Sequence, residues 1–317
     1  MTAFPVQQSA VGGSDSATRR SARRRRLVDA LSGYALILPA GVFYLGFQLL
    51  PIVFAFVLSF FDWNGINLAD ARFTGFSNYV ELAGDGSFWR AVGHNLLTVV
   101  LILLLQCLGS FILAAIITAG IRGGRFFQLV FFAPMVVSTV AMGMLAIFIF
   151  SPSQGLLNAL LRAVGLGALA QPWLGSDTWA LPTVVLTAVL QNFGLSVLMF
   201  ISGLGQVNSE MLEAAEIDGA SQATILWRVV FPVIRPVASV VFLLGIVSGF
   251  RLFDQVYVMT SGGPYHASDT IVTYLYSIAF SGNRVGYGNA IGVVLFLILL
   301  VFALVQLKLT RGGRAND

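Results

Sequence analysis

The sequence predicts an all-α integral membrane protein that crosses the bilayer six times, with both termini on the cytoplasmic side. Three observations carry this. Of 317 residues, 57% are hydrophobic and 10% charged, against about 25% charge in soluble domains, and the mean hydropathy is +0.86. The apolar residues gather in six runs, each near the roughly 20 residues that a spanning helix needs. Lys and Arg are divided unevenly between the two sets of loops, as the positive-inside rule requires.

Residues 1–32 make a tail rich in Ser, Ala and Arg, with Arg19, Arg20 and an unbroken run from Arg23 to Arg26. Such a composition predicts disorder. The arginines are read as orienting the chain and touching anionic lipid, and not as a nucleic-acid site. The first apolar run, 33–61, is too long for the core of a secretory signal and has no small-residue cleavage site. It is a retained helix, and with the outer segment behind it forms residues 33–93. A core module follows over 94–309, with runs at 95–119, 127–150, 181–204, 237–258 and 290–307. Residues 310–317 form a second cytoplasmic tail. Pro39, Pro51 and Pro134 fall inside spans, where neighbours can satisfy the freed carbonyls, and Pro182 sits at a helix start, which accepts proline readily.

With the N-terminus inside, cytoplasmic segments hold thirteen of the eighteen Lys and Arg, among them Arg122, Arg125, Arg228, Arg235, Lys308, Arg311 and Arg314. Arg72, Arg90, Arg162, Arg251 and Arg284 lie on or near the other side. The outer segments carry Trp63, Tyr79, Trp89, Trp173 and Trp179, read first as interfacial anchors. Ser261-Gly-Gly-Pro264 is a turn that ends the fifth helix.

Composition also excludes chemistry. The single cysteine, Cys107, lies in an apolar run, so no disulfide framework or cysteine metal site is expected. His94 and His266 are far apart, and no metal is expected on them. The one lysine, Lys308, follows no glycine-rich loop, so the chain is not a P-loop ATPase. His266, Ser268 and Asp269 are close neighbours in a loop and are not expected to converge as a triad. The expectation is a protein without catalytic residues and without a bound cofactor.

Between the fourth and fifth runs, residues 209–236 hold four of the fourteen carboxylates, Glu210, Glu213, Glu216 and Asp218. This stretch belongs in water and reads as an elbow of two short helices. Ser209 is placed to cap the first helix, and Glu210 and Glu213 suit its N-terminal end. Asp218-Gly219 breaks the chain, Ser221 caps the second helix, and Pro232 is expected to end it.

The spacing Glu213-Ala214-Ala215, Asp218-Gly219-Ala220 and Phe231-Pro232 resembles the cytoplasmic EAA loop of permease subunits of ABC importers. The resemblance runs from about Leu27 to Arg311 and leans to the carbohydrate-importer branch. It is supported by Phe73-Thr-Gly-Phe-Ser-Asn-Tyr79, Phe150-Ser-Pro-Ser-Gln-Gly-Leu-Leu-Asn158 and Met259-Thr-Ser-Gly-Gly-Pro264. It implies the type I permease fold and a bacterial or archaeal cell membrane. It implies a second permease subunit, usually a different chain, an external solute-binding protein, and cytoplasmic ATPase subunits that use ATP and Mg. Within it Glu213 would anchor the loop to the ATPase, Ala214 and Ala215 would permit close approach, Asp218 and Gly219 would make the turn, and Pro232 completes the motif.

The spans hold few polar groups. Gln191, Asn192, Phe193 and Ser196 in the fourth suit the hydroxyls and faces of a sugar, or else bond neighbouring helices. Arg251 and Asp254, three apart, are the only charged residues within a run. They read as a mutual salt bridge near the outer end, or as part of the path. Gly143, Gly194, Gly245 and Gly249 read as close helix contacts. The function expected is the translocation path of an ATP-driven importer for a sugar or related polar solute. The alternatives are a stand-alone carrier or channel that would lean on Asp254, and a scaffold that only recruits a cytoplasmic partner.

Overall fold

The computed structural model describes residues 37–312. The arginine-rich tail expected at 1–32, the first residues of the first run (33–36) and the end of the second tail (313–317) lie outside the described residues. Five helices are long and apolar enough to cross a membrane unbroken: α1 (Ile37–Leu58), α3 (Gly86–Thr118), α7 (Ala180–Leu204), α9 (Gln222–Phe250) and the apolar length Val285–Gln306 of α12 (Val285–Gly312). A further apolar pair, α4 (Gly124–Val136) and α5 (Thr139–Phe150), is bent by 107° between its halves and, taken as one broken span, makes the sixth crossing. Shorter elements lie between the spans. On the outer side are β1 (Phe61–Asp62), paired antiparallel with β2 (Arg72–Phe73), then α2 (Ser77–Gly84), α6 (Leu156–Ala163), α10 (Asp254–Met259) and α11 (Ile271–Ser281). On the inner side is α8 (Ser209–Ile217).

Three departures from the expected spans have local causes. The run 127–150 is not one straight helix. Pro134 has no N–H to give and its ring crowds the preceding turn; Val137 turns extended (φ −76°, ψ 136°), and Ser138 restarts the helix by accepting the Ala141 N–H on its side chain. The second span begins at Gly86 and not at Asn95, because Asp85 caps it, its Oδ1 accepting from the N–H groups of Ser87 and Phe88. The fifth span starts at the inner elbow and stops at Phe250, so 251–258 is not its continuation; a break at Arg251–Phe253 leads into the separate helix α10.

Three apolar clusters hold the bundle of α3 to α12. At the inner end Phe111 of α3, Phe200 of α7 and Ile234 of α9 are all but inaccessible. Nearer the outer side Phe150, Val184, Val185 and Val256 join α5, α7 and α10. Phe88, Phe250, Ile271 and Ile291 close α3, α9, α11 and α12. Close approach is required where α4 crosses α7: a Cβ on Gly194 would lie 2.4 Å from the Phe131 carbonyl oxygen and 2.7 Å from Phe132 Cα. Contacts under 3 Å to backbone cannot be relieved by a rotamer change.

Polar side chains fasten the outer loops to these helices. Asn95, fully buried, donates to the Gly249 carbonyl at 2.8 Å and accepts the Ile271 N–H at 2.7 Å, tying α3, α9 and α11 together. His94 bonds the Asp269 carbonyl at 2.8 Å. His266 and Asp269 do meet, at 2.5 Å, while the Ser268 hydroxyl is committed to the Gly263 carbonyl; these groups close their own loop and form no triad. Asp85 accepts from the hydroxyls of Tyr274 at 2.5 Å and Tyr287 at 2.7 Å. Burial alone would raise this carboxyl, but the two hydroxyls and the two helix N–H groups outweigh it, and it titrates below its ordinary value of 3.8.

Candidate functional site

Two features carry the functional argument: the inner elbow, and a cavity midway along the bundle.

The elbow begins where Asn208, and not the expected Ser209, caps α8, its side-chain oxygen accepting the Glu210 N–H at 3.0 Å. α8 ends in a Schellman turn. Gly219 sits at φ +77°, its N–H reaches the Glu216 carbonyl, and the Ala220 N–H reaches the Ala215 carbonyl, both at 3.0 Å. Ser221 then caps α9 through the Thr224 N–H, as the sequence predicts. The second helix is not short, however, and Pro232 does not end it. A wide turn at Ile225–Val230, in which Phe231 N–H reaches back five residues to Leu226, makes room for Pro232, and the helix continues through Pro236 to Phe250.

This geometry separates the motif residues into two sets. Leu212, Ala215 and Ala220 pack onto the inner core cluster and fix the elbow to its own bundle. Glu213, Ala214, Asp218, Gly219 and Pro232 are exposed to solvent. Ile217, at the bend, is 86% exposed, an apolar side chain with nothing of its own chain over it.

The cavity, about 390 Å³, lies between α3, α5, α7, α9 and the break before α10. Its polar lining comes from Gln106, Thr139, Asn192, Ser196, Ser248 and Gln255, with Arg251 and Asp254 at the break. Four of the six residues singled out for a path therefore meet here: Asn192, Ser196, Arg251 and Asp254. The other two do not line it. Gln191 is buried behind the wall; its amide donates to the Val137 carbonyl at 2.8 Å and accepts from Gln255 at 2.8 Å, so it holds the bend of the α4–α5 pair against α10. Phe193 packs on Phe131, ring centroids 5.2 Å apart. Asn192 Nδ2 donates back to the Ala188 carbonyl, and Ser196 accepts from Gln106 at 3.0 Å.

Arg251 and Asp254 do not form the expected salt bridge. Among the described residues the ion pairs are His266–Asp269 and Glu81–Arg284. The reason is the break itself: Arg251 terminates α9 while Asp254 opens α10, so the two do not share one helical face. Both remain exposed at the cavity edge. Gln106, Thr139, Ser248, Phe253 and Gln255 were not singled out by the sequence reasoning. Gln106, a lone amide in a long apolar run, carried the available signal.

A family model described as "binding-protein-dependent transport system inner membrane component" matches residues 110–312. The probable ABC transporter permease protein YurN of Bacillus subtilis is 34% identical over 283 residues, 89% of this chain and 96% of its own length. The diacetylchitobiose uptake system permease protein NgcF of Streptomyces coelicolor is 31% identical over 332 residues, 99% of this chain and 94% of its own. A chain of a bacterial alginate ABC transporter, solved in complex with an alginate pentasaccharide-bound periplasmic protein, shares the fold, with a TM-score of 0.78 over 90% of this chain and 96% of that one at 22% identity. With its multi-pass helical bundle, and the family match covering the elbow and every cavity residue but Gln106, the chain belongs to the inner membrane components of binding-protein-dependent transport systems, the permeases of ABC transporters.

Proposed function

We propose that this chain is one permease subunit of an ATP-driven importer that carries a sugar or oligosaccharide into a bacterial or archaeal cell. A second permease, of different sequence, completes the path; a solute-binding protein delivers the substrate from outside; separate ATPase subunits hydrolyse Mg-bound ATP against the elbow. The observation that carries this reading is the continuity of α9. One helix of 29 residues, about 40 Å at 1.5 Å per residue, starts at the elbow and supplies Val241, Leu244, Val247 and Ser248 to the cavity wall. Movement of the elbow by a nucleotide-driven partner is thereby passed to the cavity along one unbroken helix, through the wide turn at Ile225–Val230. Glu213 anchors the partner by charge and hydrogen bonding, Ala214 lets its backbone come close, Asp218 and Gly219 hold the bend, and exposed Ile217 adds apolar contact. The free energy comes from the partner's different affinities for nucleotide in the two states, not from this chain.

Carbohydrate is favoured by the cavity's neutral hydrogen-bonding groups, Asn192, Ser196, Ser248 and Gln255, and by the names of relatives: a multiple sugar-binding transport system permease of Streptococcus mutans, 29% identical over 287 residues, and the diacetylchitobiose permease already described. Reconstitution in proteoliposomes tests it. Uptake of a labelled oligosaccharide should require ATP, the ATPase subunit and the binding protein. Uptake by this polypeptide alone, abolished by Asp254→Asn and by collapse of the ion gradient, would replace this reading with a stand-alone carrier.

A further inference from the structure

Four aromatic rings run outward from the cavity in continuous contact, and nothing in the path described so far uses more than the first. Phe253 lines the cavity between Arg251 and Asp254. It stacks on Tyr257 of α10, with ring centroids 5.3 Å apart and planes 18° from parallel. Tyr257 meets Tyr276 of α11 at 5.2 Å, and Tyr276 meets Phe280 at 5.0 Å. Tyr276 also touches Phe253 directly, at 5.4 Å. The second and last rings are open: Tyr257 is 44% exposed and Phe280 66%, with Tyr276 half-buried between them.

Tyr and Trp that anchor a chain at the membrane border are placed by their amphipathic rings at the headgroup level. A train of rings in mutual contact, rooted in a polar cavity, is a different object. Aromatic faces offer broad, rigid apolar surface at low conformational cost, and the tyrosines add a hydroxyl at the edge. A pyranose has the complementary chemistry, with C–H groups on its faces and hydroxyls around its rim. Arg251 and Asp254, which flank the first ring and do not pair with each other, supply a donor and an acceptor for those hydroxyls. The cavity is at the small end of the ~300–1,000 Å³ usual for ligand sites, so an oligosaccharide seated in it must extend beyond it.

We infer that Phe253, Tyr257, Tyr276 and Phe280 form an extended saccharide track, on which the outer units of an oligosaccharide stack while its leading unit occupies the cavity. The inference rests on the carbohydrate reading above and adds to it a dependence on chain length.

The test uses the full reconstituted complex with graded malto-, cello- and chito-oligosaccharides, from disaccharide to hexasaccharide. Tyr257→Leu and Phe280→Leu, singly and together, keep apolar bulk but remove the ring faces; Tyr257→Trp and Phe280→Tyr retain a ring. The track predicts that each leucine lowers the initial uptake rate of tetra- to hexasaccharides roughly two- to tenfold, leaves disaccharide uptake unchanged, and that the ring-retaining variants behave as the unsubstituted complex. Equal loss at every length, or no loss at any, overturns the track. So does dissociation of the leucine variants from the second permease, which would make these rings a subunit contact. If the unsubstituted complex takes up no saccharide of any series, the carbohydrate reading itself fails, a result distinct from the others.

Discussion

Replacing Gly219 gives a graded perturbation of the elbow that leaves the bundle intact. Its φ of +77° lies in the left-handed region, which alanine enters at a cost of about 1–2 kcal/mol. A Cβ there meets nothing within 4 Å, so no steric term is added. Gly219→Ala therefore lowers the population of the intact bend relative to opened forms by roughly 5- to 30-fold. Asparagine enters this region more readily, so Gly219→Asn should fall between glycine and alanine. Gly219→Pro fixes φ near −65° and removes the N–H that reaches the Glu216 carbonyl. Its cost is about 3 kcal/mol or more, beyond a hundredfold. The assay is ATPase co-purification and ATP-driven uptake at matched membrane levels. The order should be Gly, Asn, Ala, Pro, with proline abolishing association and insertion unchanged in all four. Undiminished uptake by Gly219→Pro would refute the assignment of the bend as the coupling element.

Other substitutions probe separate parts. Glu213→Ala removes one exposed contact and leaves the turn, so ATPase affinity should drop by about 1 kcal/mol with no change in the melting temperature of the purified subunit. Gly194→Ala drives a Cβ into the Phe131 and Phe132 backbone and should destabilise the bundle by about 1–3 kcal/mol, read as a lowered Tm in detergent. Gln191→Leu strands the Val137 carbonyl and the Gln255 amide, and should lower stability by about 1–3 kcal/mol and slow uptake of every saccharide alike. Asp85→Ala removes a helix cap and the acceptor of two tyrosine hydroxyls, about 1–3 kcal/mol in all. Because the folded carboxyl titrates below 3.8, its contribution is full above that pH and lost as pH falls through the folded value. The gap in Tm between the natural chain and Asp85→Ala should be flat from about pH 5 to 8 and close in stronger acid.

The elbow was readable in the sequence because its signals are local: a glycine demanding a left-handed turn, Ser221 three residues before the N–H it caps, and carboxylates where lipid forbids them. The spans were readable by length and apolarity, and α7 begins one residue from where its run does. What escaped depends on partners distant in the chain. Pro134 looked tolerable inside a span; it breaks the helix locally, and the Val137 carbonyl freed at the bend is taken up by Gln191, 54 residues away, a partner that the run itself does not reveal. Pro232 looked like a stop; the wide turn before it makes room for the ring, and its Ile225 and Val230 are buried in the inner cluster that α3 and α7 share. Arg251 and Asp254 at three-residue spacing suggested a shared face, but spacing says nothing about a break between them. The aromatic track joins 253 and 257 to 276 and 280 across a loop that no periodicity spans.

The central claim is that the bend around Glu213 faces the cell interior and is covered there by a partner. The chain has one native cysteine, Cys107, which is fully buried, so Glu213→Cys introduces a single reactive thiol. A membrane-impermeant maleimide should label it in inverted membrane vesicles stripped of ATPase, not in intact cells, and labelling should fall when the ATPase subunit is added back. Labelling from outside intact cells, or no protection by the ATPase, would contradict the account.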